Sequence, residues 1–178
     1  MAIVKQVLFL LPALFAVIAG VSDWRSRRIP NWLTVPGLLL GIAANSASRG
    51  WPGAKDSLLG AGLGLLLLLP FVLVRSLGVG DWKLVGALGA FLGPHNLINV
   101  LFATVLIAGL MALILIVWKG RIRRTLGNIG RMLGAVFSFH LPGQELSLDN
   151  PAALKIPFGV AVALAVILYT VSRVWGAA

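Results

Sequence analysis

Cysteine is absent from the 178-residue chain, which removes disulfides, thiolate nucleophiles and cysteine-ligated zinc at once. Acids are nearly as scarce: Asp23, Asp56, Asp81, Glu145 and Asp149 are the five, beside two histidines, His95 and His140. Those seven side chains are the stock for acid–base chemistry near neutral pH. Charged residues make up 11% of the chain, where a soluble domain carries about a quarter. What fills the space is apolar: 59% of residues are hydrophobic and mean hydropathy is +0.98. A soluble globular domain is excluded, and so is disorder, because runs such as Leu63 to Leu69 would not stay in water. This is the composition of a membrane protein whose solvent is the lipid bilayer.

Fifteen Lys and Arg give a net charge of +10, a balance that in a soluble chain points to nucleic acid. Here the cations lie between apolar segments, as in the cytoplasmic loops of membrane proteins. No soluble basic domain remains to form a phosphate-binding surface, so no nucleic-acid partner is expected.

About twenty apolar residues cross the hydrocarbon core as a helix. Gln6 to Ser22 is the first such stretch, with one Lys before it and Arg25, Arg27 and Arg28 after it. A secretory signal carries its charge the other way round, so this segment reads as a retained span. Trp32 to Ala44, Leu58 to Val74, Trp82 to Leu92, Leu97 to Trp118 and Ile156 to Trp175 follow, making six spans. The expected fold is all-α and polytopic, one membrane-embedded domain over residues 1–178. Gly37 and Gly41, Gly60 and Gly64, and Gly86, Gly89 and Gly93 stand at helical spacing, where small residues let backbones pack closely.

Alternate loops lie on one side of the membrane. Asp23 to Asn31, Arg75 to Lys83 and Lys119 to Lys155 hold three, two and six cations, against Lys5, Arg49, Lys55 and Arg173 on the other side. The basic side is expected to be cytoplasmic and both termini outside. Within the last loop, Ile122, Leu126, Ile129, Leu133, Val136 and Phe137 recur at three- or four-residue steps among arginines, the pattern of an interfacial amphipathic helix. Gln144 to Asn150 reads as an irregular connection.

Several hydrolytic designs fail on this inventory. His95 and His140 are far apart and on opposite sides, which leaves no His-Glu-x-x-His zinc site, and no Gly-x-Ser-x-Gly is present. Asp56, Glu145 and Asp149 fall in polar connections and read as solvated surface. Asp23 and Asp81 differ, because each lies where an apolar helix meets a basic loop. From Lys5 to Asp23 is eighteen residues, roughly 27 Å of helix, which puts Asp23 near the boundary of a core about 30 Å thick. From Gly93 back to Asp81 is twelve residues, roughly 18 Å, so Asp81 falls inside the basic half of the bilayer.

Each aspartate has a plain structural reading: Asp81 as the N-cap of a helix beginning at Trp82, and Asp23 as a helix-end residue paired with Arg25 or Arg27. Together they admit another. Two carboxylates within hydrogen-bond reach do not both ionise easily, so one keeps a proton while the other polarises a water. That is the apparatus of an aspartic peptidase, which needs no cofactor and no metal. A proton-coupled transporter or channel subunit, in which the pair relays protons, and a non-catalytic assembly subunit, in which the acids only cap helices, are the alternatives.

At these residues the sequence resembles the type IV prepilin peptidase family, a group of membrane aspartic peptidases, and within it the short TadV/CpaA branch. The resemblance is carried by Asp23-Trp24-Arg25-Ser26-Arg27-Arg28-Ile29-Pro30-Asn31, by Gly78-Val79-Gly80-Asp81 followed by Trp82-Lys83-Leu84, and by Lys155-Ile156-Pro157-Phe158-Gly159. It implies a bacterial inner-membrane endopeptidase that removes basic leaders from prepilin or pseudopilin substrates at the cytoplasmic face, with Asp23 and Asp81 as the catalytic pair. It also implies Flp-type pilins as substrates. Larger relatives carry a cytoplasmic insert, often with zinc-binding cysteines, and methylate the new pilin N-terminus; this chain has neither insert nor cysteine, so methyltransferase activity is not expected. Pro30 and Asn31 are expected to set the turn into the second helix. Arg25, Arg27, Arg28 and Lys83 are expected either to hold topology or to attract an acid on the substrate.

Overall fold

The structure, a computed structural model, describes residues 2–120, 125, 127 and 156–175. Among the described residues there are four helices and no strand: α1 (Ala2–Ser26), α2 (Asn31–Leu73), α3 (Val79–Trp118) and α4 (Phe158–Trp175). The interfacial helix expected between Ile122 and Phe137 falls outside the described residues except for Thr125 and Gly127. The irregular stretch Gln144 to Asn150 and His140 also fall outside them.

At 43 and 40 residues, α2 and α3 would each measure about 60 Å or more if straight, twice the hydrocarbon thickness. Each is broken instead at a glycine with positive φ: Gly50 (φ 62°, ψ −143°) and Gly93 (φ 74°, ψ 172°). Beyond Gly50 the chain turns back on itself, since the Ser57 hydroxyl lies 3.4 Å from the Gly41 carbonyl it donates to. Sixteen residues of straight helix would hold those groups about 24 Å apart. The same holds beyond Gly93, because a Cβ on Gly64 would lie 3.0 Å from the Val85 carbonyl and 3.1 Å from Leu97. The described residues thus form six helical segments, 2–26, 31–49, 51–73, 79–92, 94–118 and 158–175, and each apolar stretch read from the sequence falls chiefly within its own segment.

The segment 79–92 occupies the centre. Every residue from Leu84 to Gly93 is buried, so this helix is enclosed on all faces, which its run of glycine, alanine and aliphatic side chains permits. Gly41 of α2 abuts Ala90 and Phe91, Gly60 closes on Gly89, and Leu65 fills the space at Gly86. Phe15 of α1 meets Phe91 with ring centroids 5.5 Å apart, and α4 packs on α1 and α3. Of the small-residue positions expected to bring backbones together, Gly41, Gly60, Gly64 and Gly89 do so, whereas Gly37 and Gly86 make room for the Phe15 and Leu65 side chains.

The exterior is the reverse of a soluble protein's. Leu106, Leu110, Leu113, Ile114 and Val117 of α3 are exposed, and only 11% of its most apolar stretch is buried. By length and composition α2 and α3 qualify as membrane-crossing helices, and an unburied apolar surface of that extent belongs against lipid.

The two ends of the bundle differ in kind. At one, Arg49 pairs with Asp56 at 2.8 Å and donates to Asn45, and Arg173 reaches Asn96. Asn45 is buried there, with Nδ2 2.9 and 3.0 Å from the carbonyls of Ala90 and Phe91. Those carbonyls precede the Gly93–Pro94 break, where Pro94 has no N–H to offer Ala90. The residues 23–31 and 78–83 gather at the opposite end, as expected for these two basic loops; nearly all of the third, Lys119 to Lys155, lies outside the described residues.

Candidate active site

α1 ends at Ser26 because Arg27 turns left-handed, at φ 52°, while its N–H still donates to the Asp23 carbonyl at 2.8 Å. A non-glycine residue held there stores strain of about 1–3 kcal/mol. The hydroxyls of Ser22 and Ser26, each 3.1 Å from the Arg28 carbonyl, pin the turn. Pro30 then takes the N-cap position of α2 with extended backbone, as expected of it, and Asn31 begins the helix.

Asp23 is 6% exposed. Its Oδ2 accepts the Gly159 backbone N–H at 2.8 Å, in the first turn of α4, where helix N–H groups are otherwise unpartnered and the helix dipole favours a carboxylate. Gly159 is required by closeness: a Cβ there would stand 2.8 Å from Asp23 Cβ. One turn along the same seam Gly20 meets Ala163, where a Cβ would come to 2.9 Å. No ion pair of Asp23 with Arg25 appears; Arg25 and Arg28 are exposed, while Arg27 lies near enough for its charge to act on Asp23.

The second segment departs from the expected local geometry. α3 begins at Val79 with Gly78 as N-cap (φ −68°, ψ 141°), so Asp81 is not the N-cap of a helix starting at Trp82 but the third residue of the first turn. An acid at that position reaches back to the cap, and the Asp81 carboxylate accepts the Gly78 backbone N–H. Gly80 has Ile29 beside it: a Cβ there would lie 3.2 Å from the Ile29 carbonyl and 3.3 Å from its nitrogen. Lys83 Nζ donates to Asn31 Oδ1 at 3.0 Å, and Trp82 Nε1 donates to the Leu65 carbonyl at 2.7 Å.

The two motif segments are therefore in direct contact, and Asp81, half-buried, sits within electrostatic reach of Asp23. The remaining described acid, Asp56, is at the other end with Arg49, and Glu145 and Asp149 lie outside the described residues. No three His, Asp or Glu side chains come together among the described residues. Two carboxylates at the mouth of an apolar bundle can share a water between a base and an acid, in the manner of like-charged pairs that hold one proton. Beside Asp23 an apolar groove of about 260 Å³ runs between Val17, Val21 and Trp24 of α1 and Val160, Leu164 and Ile167 of α4.

Sequence reasoning did not foresee the Gly159–Asp23 contact. The only local signal was a glycine two residues after Pro157 at the start of an apolar helix. Lys83, expected to hold topology or attract substrate, contacts Asn31 in the structure.

The profile of the type IV leader peptidase family matches residues 9–113, more than half of the chain, and that stretch contains both aspartates. A prepilin leader peptidase/N-methyltransferase of Xanthomonas campestris pv. campestris is 30% identical over 118 residues, covering 62% of this chain and 41% of the relative. Proteins of the same name from Pectobacterium carotovorum subsp. carotovorum and Myxococcus xanthus are 32% and 33% identical, covering 60% and 52% of this chain and 39% and 30% of theirs. The chain thus matches about two fifths or less of the length of these relatives. No solved structure matches it significantly.

Proposed function

Because the chain belongs to the type IV leader peptidase family, we propose that it is an aspartic endopeptidase of the bacterial inner membrane that removes leader peptides from prepilin-type substrates. On this reading the chain crosses the membrane six times, with residues 23–31 and 78–83 facing the cytoplasm, the side on which a basic leader would be presented. Asp23 and Asp81 share the attacking water: one carboxylate takes its proton as it adds to the scissile carbonyl, and the other, protonated, donates to the carbonyl oxygen or the leaving amine. Flp-type pilins are the substrate class we favour, and we read the activity as leader cleavage without methylation.

The observation that supports this reading most is the contact between the two aspartate-bearing segments, Gly80 against Ile29 and Lys83 to Asn31. A helix-capping role alone would not require them to meet. The test is cleavage of a purified prepilin by the full chain in phospholipid vesicles, with Asp23→Asn and Asp81→Asn made separately. Each is expected to lose at least about a hundredfold in rate while eluting from size exclusion as the wild type does. Full cleavage by either variant sinks the proposal, and with a methyl donor supplied, mass analysis of the new N-terminus shows whether it is a free amine or methylated.

A further inference from the structure

Thr34 is 2% exposed, and its Oγ1 is the buried side-chain polar atom without a hydrogen-bond partner among the described residues. A buried hydroxyl left in that state is costly, and native structures rarely keep one without a use. The usual remedy in a helix is a bond back to the carbonyl four residues earlier, as Thr104 makes to Val100 at 2.8 Å. For Thr34 that carbonyl belongs to Pro30, which already faces the N–H groups of Leu33 at 3.1 Å and of Thr34 itself at 3.3 Å.

Its place in the bundle follows from its neighbours. Thr34, Gly37 and Gly41 share one face of α2. Gly37 is closed by Phe15 of α1, and Gly41 by Ala90 and Phe91 of α3, so the face looks into the seam between those helices. α1 and α2 run antiparallel about the turn at 27–30, so three residues back from Gly37 is the level of Ile18 and Ala19, about one turn before Asp23. α2 and α3 run parallel here, so seven residues back from Gly41 is the level of Lys83, less than about one turn past Asp81. The residue one turn nearer the end, Asn31, is already tied to Lys83. The hydroxyl therefore lies on the inner side of the aspartate pair, within about one helical turn of the level of each.

We propose that Thr34 is a positioning residue of the aspartate site, its hydroxyl donating a hydrogen bond to an oxygen of that site, a carboxylate or the water the carboxylates share, when substrate is bound. This rests on the aspartate reading above. Threonine is suited to the task, because its branched side chain has few rotamers in a helix, which fixes the oxygen, while the O–H can turn toward whichever acceptor is there.

The experiment compares Thr34→Val, which keeps the shape and removes the hydroxyl, with Thr34→Ser, which keeps the hydroxyl, and with Asp81→Asn. The full chain in phospholipid vesicles is given a purified prepilin with a basic leader. Thr34→Val is expected to lower kcat about tenfold or more with KM within about twofold, with a thermal midpoint equal to or above that of the wild type. Thr34→Ser is expected to stay within about threefold of wild-type kcat. A shifted pH–rate profile in Thr34→Val identifies a carboxylate as the acceptor, and an unshifted but lowered profile identifies the water. Wild-type kcat in Thr34→Val, or equal loss in both Thr34 variants, overturns the proposal while Asp81→Asn stays inactive. Retained cleavage by Asp81→Asn overturns the aspartate reading instead.

Discussion

Asp23 is buried and commits one carboxylate oxygen to the Gly159 N–H, so a change at either residue is felt at the other. In Gly159→Ala the added methyl would meet Asp23 Cβ at 2.8 Å. Overpacking of that kind costs about 1–3 kcal/mol, and a displaced carboxylate loses rate steeply. The variant is expected to cleave prepilin at least about tenfold more slowly and to unfold at lower temperature; an unchanged initial rate would show that Asp23 need not hold this position. The proposed pair also predicts a bell-shaped pH–rate profile, because below the bell both carboxyls are protonated and no base remains, and above it both are ionised and no acid remains. Asn45 separates stability from chemistry. Asn45→Ala strips the donor from the Ala90 and Phe91 carbonyls and is expected to cost about 1–3 kcal/mol. It lies at the end away from the aspartates, so kcat below the melting transition is expected to stay near wild type.

Gly50 and Gly89 are needed by their helices for different reasons. Gly50 has positive φ and nothing within 4 Å of where a Cβ would stand, so Gly50→Ala pays only the backbone penalty of the turn, about 1–3 kcal/mol. Gly89 is ordinary helix, but a Cβ there would run into the Gly60 carbonyl and the Ala61 nitrogen. Gly89→Ala must separate the second half of α2 from the central helix and is expected to be the more damaging by thermal unfolding in detergent; the opposite order would mean that these backbones are not in close contact. The sequence marked Gly60, Gly64, Gly86, Gly89 and Gly93 as packing positions, because small residues at helical spacing can be read along the chain. It does not say that Gly60 meets Gly89, since a partner is a property of two helices. The start of α3 differs from the sequence expectation for a related reason. Asp favours the N-cap, which argued for a helix from Trp82, yet Gly78 with extended backbone caps it as well and leaves Asp81 in the first turn beside the N–H groups of the helix start.

The bundle as a unit makes a prediction that its lack of cysteine renders easy to test. Single substitutions Arg28→Cys and Lys55→Cys, both at exposed positions, are expected to react with an impermeant thiol reagent from opposite sides of the membrane, and labelling of both from one side would refute the arrangement of ends. Much of this was legible along the chain. The apolar stretches, the sorting of cations and the two acids where helix meets basic loop follow from the dislike of charge and open backbone for hydrocarbon, which acts on each segment whatever its neighbours are. Asp23 and Asp81 could be singled out on that ground alone. Folding supplied what depends on distance between segments far apart in the chain: that Gly50 and Gly93 reverse the helices, that the short segment 79–92 is enclosed by the others, that Asp23 accepts the Gly159 N–H from 136 residues away, and that the Thr34 hydroxyl is shut in without a partner. Hydropathy is a property of a segment, whereas a site is made of contacts, and contacts arise when several segments bury the same small surfaces against one another.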